Sequence, residues 1–130
     1  MLLVDTAAHD TAEVARAMAG AGLHVFWTAA SEVGLRLSRE YFFDVVLVDV
    51  GVDEDPRGLA EALARDGHRC VVLTADSQGW PPLAGQWGRA VEGALRRPLD
   101  VPRLARLAER LARTGDVDAF RRGLDLARPG

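Results

Sequence analysis

The sequence VVLVDVGVDEDPRG, residues 45 to 58, joins a run of β-branched residues to an acidic loop. The run is apolar throughout rather than alternating in polarity, which is typical of a strand buried on both faces of a parallel sheet. Asp49 stands at the end of the run, and three more acids follow at positions 53 to 55. Open α/β sheets form their sites beyond the carboxyl ends of such strands, so Asp49 is a candidate functional residue.

Four other short apolar runs have a similar composition and are separated by segments with helical periodicity. The five predicted strands are LLV (2–4), LHVFW (23–27), DVVLVDV (44–50), RCVVLTA (69–75) and VEGALRR (91–97). Strands that alternate with helices in this way predict an α/β fold, with a five-stranded parallel sheet covered by helices on both faces.

The helices are predicted from their start and stop signals. Ser31 is expected to cap the second helix, and the third begins after Pro56. The breaker GWPP at 79–82 leaves room only for a short fourth helix, from about residue 83. The fifth begins after Asp100, ends at Gly115, and has an apolar stripe at i, i+3, i+4 and i+7 formed by Leu104, Leu107, Ala108 and Leu111. The tail predicts one more short helix at 117–127.

Length and charge narrow the class of protein. The 130 residues are enough for one domain with a hydrophobic core. No apolar segment approaches the ~20 residues of a membrane helix, and the N-terminus does not have the pattern of a secretion signal, so we expect a cytoplasmic protein. Residues 1–95 hold seven Arg and fourteen acids, whereas residues 96–130 hold nine Arg and five acids, and the chain has no Lys.

Four polar residues stand at or directly after the ends of predicted strands. Asp5 follows the first strand, Asp49 ends the third, Thr74 lies near the end of the fourth, and Arg97 ends the fifth. Because the carboxyl ends of parallel strands lie at one edge of a sheet, these side chains are expected to converge there.

The motifs LLVDT, VVLVDV, VVLTA and LRRPLD, in this order and at these intervals, resemble the response regulator receiver domain of two-component signalling. The resemblance covers about residues 1–113 and leaves 114–130 as a C-terminal tail. It implies a flavodoxin-like (βα)5 doubly wound sandwich of strand order 2-1-3-4-5. It also implies that Asp49 is the phosphoacceptor, that Asp5 is one of two acids after the first strand, and that Thr74 is the switch hydroxyl.

The chain departs from the family pattern where the metal would bind. Thr6 stands at the second acid of the pair, so the expected Mg²⁺ ligands are reduced to the carboxylates of Asp5 and Asp49 and the carbonyl of Gly51. A neutral hydroxyl is a poorer ligand than a carboxylate for this hard cation. Mg²⁺ binding is therefore expected to be weak.

Two further departures affect the expected signalling chemistry. Arg97 stands where the family has a lysine, and Ala94 stands where it has an aromatic switch residue. A planar guanidinium does not replace a compact ammonium at a tight site, but it can pair with a carboxylate through two donors. We therefore expect Asp49 to be the main partner of Arg97.

The helix after Asp100 carries a second stripe, formed by Arg103, Arg106, Arg110 and Arg113. One interpretation is a solvated face. The other, which the resemblance implies, is a docking surface, because the family uses the fourth helix, the fifth strand and the fifth helix for output and dimerisation. The partner would then be an acidic protein or a second copy. Nucleic acid is not expected, since no helix-turn-helix pattern follows and the net charge is −3.

Three functions are compatible with these observations. The first is an atypical receiver, not an enzyme, that signals through protein contacts with weak or absent phosphorylation. The second is a working phosphoacceptor that receives a phosphoryl group at Asp49 from a histidine kinase or phosphotransfer protein. The third is a flavodoxin-like binder of small molecules, which is disfavoured because LVDTAAHDT, at 3–11, contains no glycine for a phosphate-binding loop. We favour the first.

Overall fold

The computed structural model describes residues 1–5, 11–51, 55–75 and 91–127. The strands in this part of the chain are β1 (Leu2–Val4), β2 (Phe26–Thr28), β3 (Val45–Asp49), β4 (Cys70–Ala75) and β5 (Gly93–Arg96). The helices are α1 (Thr11–Gly20), α2 (Ser31–Glu40), α3 (Pro56–Arg65), α4 (Val101–Thr114) and α5 (Val117–Ala127). The fourth helix predicted from the sequence, and Thr6, lie outside the described residues.

The five strands form one parallel sheet in the order β2-β1-β3-β4-β5, as predicted. The register pairs Val4 with Val48 and Asp49 with Thr74. Asp5, directly after Val4, therefore lies at the same edge of the sheet as Asp49 and Thr74. The α/β fold class predicted from the alternating pattern is confirmed, and so is the doubly wound arrangement that the resemblance implies.

Each face of the sheet is covered by its own apolar cluster. In β1, Leu3 faces the cluster to which α1, α4 and α5 contribute, whereas Leu2 and Val4 face the one formed with α2 and α3. Cys70 is fully buried in the first cluster. Burial, with a smaller contribution from the charge of Glu92, raises the pKa of its thiol to about 12, so this cysteine is an inert core residue.

The helix starts follow their sequence signals in two of three cases. The Asp55 carboxylate caps α3 by accepting from the backbone N–H of Gly58, at 3.0 Å, and Asp100 caps α4. The prediction that Ser31 caps α2 is wrong. The N-cap residue is Ala30, whose side chain cannot accept a hydrogen bond from the helix. Its own N–H donates to the hydroxyl of Thr28, at 3.1 Å.

The second strand was predicted to begin at residue 23, but β2 begins at Phe26. The reason is that the end of α1 takes up the preceding residues: the N–H of Leu23 donates to the carbonyl of Met18, at 2.9 Å. Strand pairing starts only where the N–H of Phe26 reaches the carbonyl of Met1.

The C-terminal segment forms α5, which packs against α4 and β5. Phe120 and Leu124 are buried in the same cluster as α1 and α4. Gly123 allows the two helices to approach closely, since a Cβ at this position would overlap a methyl group of Leu107. No helix in the described part of the chain is long and apolar enough to cross a membrane.

Candidate functional site

The candidate site lies at the carboxyl edge of the sheet, and Asp5 is its most buried acid. Asp5 follows β1 and is only 4% exposed. Its Oδ2 accepts from the hydroxyl of Thr11, at 3.3 Å, and from Nη2 of Arg97. Its backbone carbonyl accepts from the indole Nε1 of Trp27, at 3.1 Å. Donors from α1, from β2 and from the segment after β5 therefore hold this one residue.

Asp49, at the end of β3, is surrounded by donors in a similar way. Its Oδ1 accepts from the hydroxyl of Thr74, at 3.3 Å, and lies 3.4 Å from Nε of Arg97. Its Oδ2 accepts from the backbone N–H of Gly51, at 3.1 Å. Both carboxylate oxygens are thus engaged by groups of the protein itself.

Arg97 joins the two acids. Its backbone N–H continues the sheet by donating to the carbonyl of Ala75, at 2.8 Å, and this contact fixes where its side chain begins. Nη2 donates to Asp5 and to the Thr74 hydroxyl, and Nε faces Asp49. The side chain is 10% exposed, against 6% for Asp5 and 14% for Asp49, so the ion pairs are largely shielded from solvent.

The partner expected for Arg97 was Asp49, but the closer carboxylate is Asp5. A guanidinium presents five donors in a rigid fork, and it can therefore bind two carboxylates through different nitrogens. The structure thus brings together Asp5, Asp49, Thr74 and Arg97, with the guanidinium between the two acids.

The oxygens of Asp5 and Asp49 that could bind a cation are engaged by donors of the protein within the described residues. Mg²⁺ needs hard oxygen ligands in octahedral geometry. Here Oδ2 of Asp5 and both oxygens of Asp49 already accept hydrogen bonds. The described residues contain no group of three or more His, Cys, Asp or Glu side chains placed to hold a metal ion.

Thr11 and Trp27 are site residues that the sequence analysis missed. Thr11 is 2% exposed and follows the apolar spacing of Val14 and Met18 on α1. A polar residue on the buried face of a helix was the available signal, because such a hydroxyl requires a buried partner. Nothing in the local sequence indicates that the Trp27 indole reaches Asp5.

Ala94 and the predicted arginines of α4 lie away from this cluster. Ala94 is 3% exposed and packs in the apolar cluster under α2 and α3. Arg106, Arg110 and Arg113 are exposed on α4, and none of them forms an ion pair with a residue that the structure describes. Arg103 is only partly exposed, and its Nε is buried without a hydrogen-bond partner in the described structure.

Comparisons with solved structures give the fold of the chain. NtrX from Brucella abortus, in complex with ADP, superposes with a TM-score of 0.73 at 19% identity, over 96% of this chain and 28% of that one. A response regulator receiver domain protein from Clostridium thermocellum superposes with a TM-score of 0.69 at 16% sequence identity. The match covers 96% of this chain and 93% of that one. A response regulator protein from Burkholderia pseudomallei, with a phosphorylated aspartic acid, calcium ion and citrate, superposes with a TM-score of 0.70 at 17% sequence identity. The match covers 98% of this chain and 74% of that one.

These similarities show that the chain has the receiver-domain fold of response regulators. The chain spans about a quarter of the NtrX protein and most of the length of the receiver domain protein from Clostridium thermocellum. No protein-family model and no curated protein matches the sequence.

Proposed function

We propose that this protein is an atypical response regulator receiver that acts in two-component signal transduction through protein contacts, with weak or absent Mg²⁺-dependent phosphorylation of Asp49. The observation that carries the proposal is the position of Arg97. Its guanidinium supplies the positive charge between Asp5 and Asp49 that a metal ion would otherwise supply.

Phosphoryl transfer to an aspartate needs a free carboxylate oxygen, a cation that offsets charge, and donors for the phosphoryl oxygens. The donors of Arg97 and Thr74 are committed here to Asp49 itself and to Asp5. An incoming phosphoryl group would have to break these contacts. The arrangement therefore favours a stable, metal-independent site over a reactive one.

The contact surface that we propose is the α4 side of the molecule, with Arg106, Arg110 and Arg113 as the residues that meet an acidic partner. These cations are exposed and have no ion pair in the described structure, so a partner would not have to displace internal contacts. In receivers generally, this side serves output and dimerisation, and a histidine kinase or a second copy is the alternative occupant.

We place the receiver-like domain at residues 1–113, with 114–130 as an addition that packs on it through α5, and we expect a cytoplasmic location. The protein is a binding module in this proposal, and not an enzyme. The alternative function is a working receiver phosphorylated at Asp49, which the hydrogen bond from Thr74 to Asp49 favours, because this hydroxyl would also reach a phosphoryl group on Asp49.

The experiment that separates the two functions is incubation with acetyl phosphate and Mg²⁺, followed by intact mass measurement. The proposal predicts little or no phosphorylated protein. The double variant Thr6→Asp, Arg97→Lys, which restores the family pattern, should gain phosphorylation, and adding Asp49→Asn should remove it. Stoichiometric phosphorylation of the unmodified protein at Asp49 would instead establish the alternative.

A further inference from the structure

Thr74 lies at the centre of the candidate site and is its most buried side chain, at 1% exposure. Its backbone is aligned with Asp49 of β3 on one side and with Leu95 of β5 on the other. Its hydroxyl donates to Oδ1 of Asp49, at 3.3 Å, and accepts from Nη2 of Arg97, at 3.2 Å. A hydroxyl has only one proton to donate, so these two contacts together fix the rotation of the Thr74 side chain.

Asp49, Thr74 and Arg97 form a closed hydrogen-bonded ring, which we call the strand-end ring. Nη2 of Arg97 donates to Thr74, Thr74 donates to Asp49, and Nε of Arg97 lies 3.4 Å from the same Asp49 oxygen. Nη2 also donates to Asp5, which anchors the guanidinium a second time. Each member of the ring therefore contacts both of the others, and hydrogen bonds in such a network strengthen one another.

The main chain is tied at the same three strand ends. The N–H of Val50 donates to the carbonyl of Thr74, at 2.9 Å, and the N–H of Arg97 donates to the carbonyl of Ala75, at 2.8 Å. Because the side chain of Arg97 is only 10% exposed and that of Asp49 14%, a rotation of Thr74 would take a hydrogen bond from groups that solvent reaches poorly. Leaving such groups unsatisfied costs free energy, which opposes a second arrangement.

The described residues beside the strand-end ring offer little freedom for a second arrangement. Ala75, directly after Thr74, is fully buried, and Ala94, directly before Leu95, is 3% exposed. An alanine side chain has no alternative rotamers, so neither residue can answer a movement of Thr74 by turning to a new position. Leu95 is 7% exposed and packs in the same cluster as α1 and α4.

We propose that the strand-end ring is a conformational lock, which holds the ends of β3, β4 and β5 in one arrangement, so that the protein presents one constant surface to its partners. A protein that switches keeps a minor conformation populated at about 0.1 to 10%. The lock predicts no such population at these strand ends. This inference rests on the proposed function, in which Arg97 supplies the positive charge of the site, and adds that the site holds a single conformation without a signal.

The test is ¹⁵N relaxation dispersion of the full chain in metal-free buffer, which detects exchange with a minor conformation on the microsecond to millisecond timescale. The amides of residues 50, 74 and 97 should give flat profiles in the unmodified protein. Thr74→Val has a similar shape but no hydroxyl, so it opens the ring and should produce exchange at these amides, with a minor state of about 1% or more. Thr74→Ser is the matched control, since it keeps the hydroxyl, and its profiles should stay flat.

A second pair of variants opens the ring from the side of Arg97. Arg97→Gln removes the charged fork and should produce the same exchange. Arg96→Gln, at the exposed neighbouring position, is the matched control and should leave the profiles flat. This pair carries the test if Thr74→Val does not fold.

The proposal is overturned if the unmodified protein shows exchange at these amides, or if either ring-opening variant folds and stays flat. It is equally overturned if Thr74→Ser or Arg96→Gln produces as much exchange as its counterpart. Intact mass measurement after incubation with acetyl phosphate and Mg²⁺ tests the proposed function separately. Phosphorylated protein with flat profiles would contradict that function and support the lock, whereas unphosphorylated protein with exchange would contradict the lock alone.

Discussion

Arg97 donates from Nη2 to the carboxylate of Asp5, although β3 and β4 separate β5 from β1 in the sheet. The same side chain reaches Asp49 through Nε, at 3.4 Å. One guanidinium therefore ties together the ends of three strands. The guanidinium offsets part of the charge repulsion between the buried Asp5 and the partly buried Asp49, which lie at adjacent strand ends.

Thr6→Asp should tighten Mg²⁺ binding, because it restores the third carboxylate of the family pattern. A Mg²⁺ titration followed by NMR or tryptophan fluorescence measures the effect, and Thr6→Ser is the control, since it keeps a neutral hydroxyl. Equal affinities for Thr6→Asp and the unmodified protein would show that residue 6 does not contact the metal site.

Reversing Arg106 and Arg110 to Glu should leave the free energy of unfolding within ~1 kcal/mol of the original value, because exposed charges contribute little to folding. The same double variant should lose capture of an acidic partner, and the capture by the unmodified protein should weaken as salt is added. Arg65→Glu, at an exposed position on α3, is the control. Unchanged capture by the double variant would support the solvated-face interpretation.

Stability should fall as the pH drops below about 6.5, because His68 is buried as a neutral ring. Its Nδ1 accepts from the N–H of Phe43, at 3.1 Å, and cannot do so when protonated. Burial lowers the pKa of His68 from 6.5, against the opposing charge of Asp66. The unfolded chain therefore binds the proton first, and acid favours unfolding.

Urea unfolding from about pH 7.5 to about pH 5.5 measures this dependence around the ordinary histidine pKa. His68→Gln, whose amide oxygen can still accept from Phe43, should flatten the slope in this range. His24→Gln is the matched control, because His24 is exposed. An equal slope in all three proteins would assign the pH dependence to other groups.

Phe120→Ala in α5 should destabilise the whole protein by about 3 to 5 kcal/mol, as expected for an aromatic side chain removed from a core. Phe120 is 2% exposed and packs in the same cluster as α1 and α4. The melting temperature followed by near-ultraviolet circular dichroism should fall, and hydrogen-exchange protection should fall throughout the protein. A loss of protection confined to α5 would show that the tail folds independently of residues 1–113.

The sequence predicted the strands and the edge at which the site forms because both depend on local pattern. Continuous apolar runs identify buried parallel strands, and the residue at the end of each run is then placed by topology. The start of β2 was not predictable in this way, since Leu23 has strand propensity but its N–H is taken by the end of α1. Residues 23–25 could form either the turn after α1 or the first part of β2, and their composition does not distinguish the two.

The details of the site were less predictable than its location. Which carboxylate Arg97 approaches more closely depends on the position of β5 relative to β1, which no local pattern encodes. The roles of Thr11 and Trp27 depend in the same way on how α1 and β2 approach the end of β1. Such contacts arise from packing across the sheet, so they appear only when the fold is known.

We propose that Arg97 is the resident cation of the site, and the unfolding free energies of two variants test this role. Arg97→Ala should destabilise the protein by about 3 kcal/mol or more, because it removes the guanidinium from the buried Asp5 and the partly buried Asp49. Asp49→Asn should change stability by less than about 1 kcal/mol, since the pair of Arg97 with Asp5 remains and the repulsion between the acids is relieved. A small loss for Arg97→Ala together with a large loss for Asp49→Asn would show that Arg97 does not neutralise the two acids.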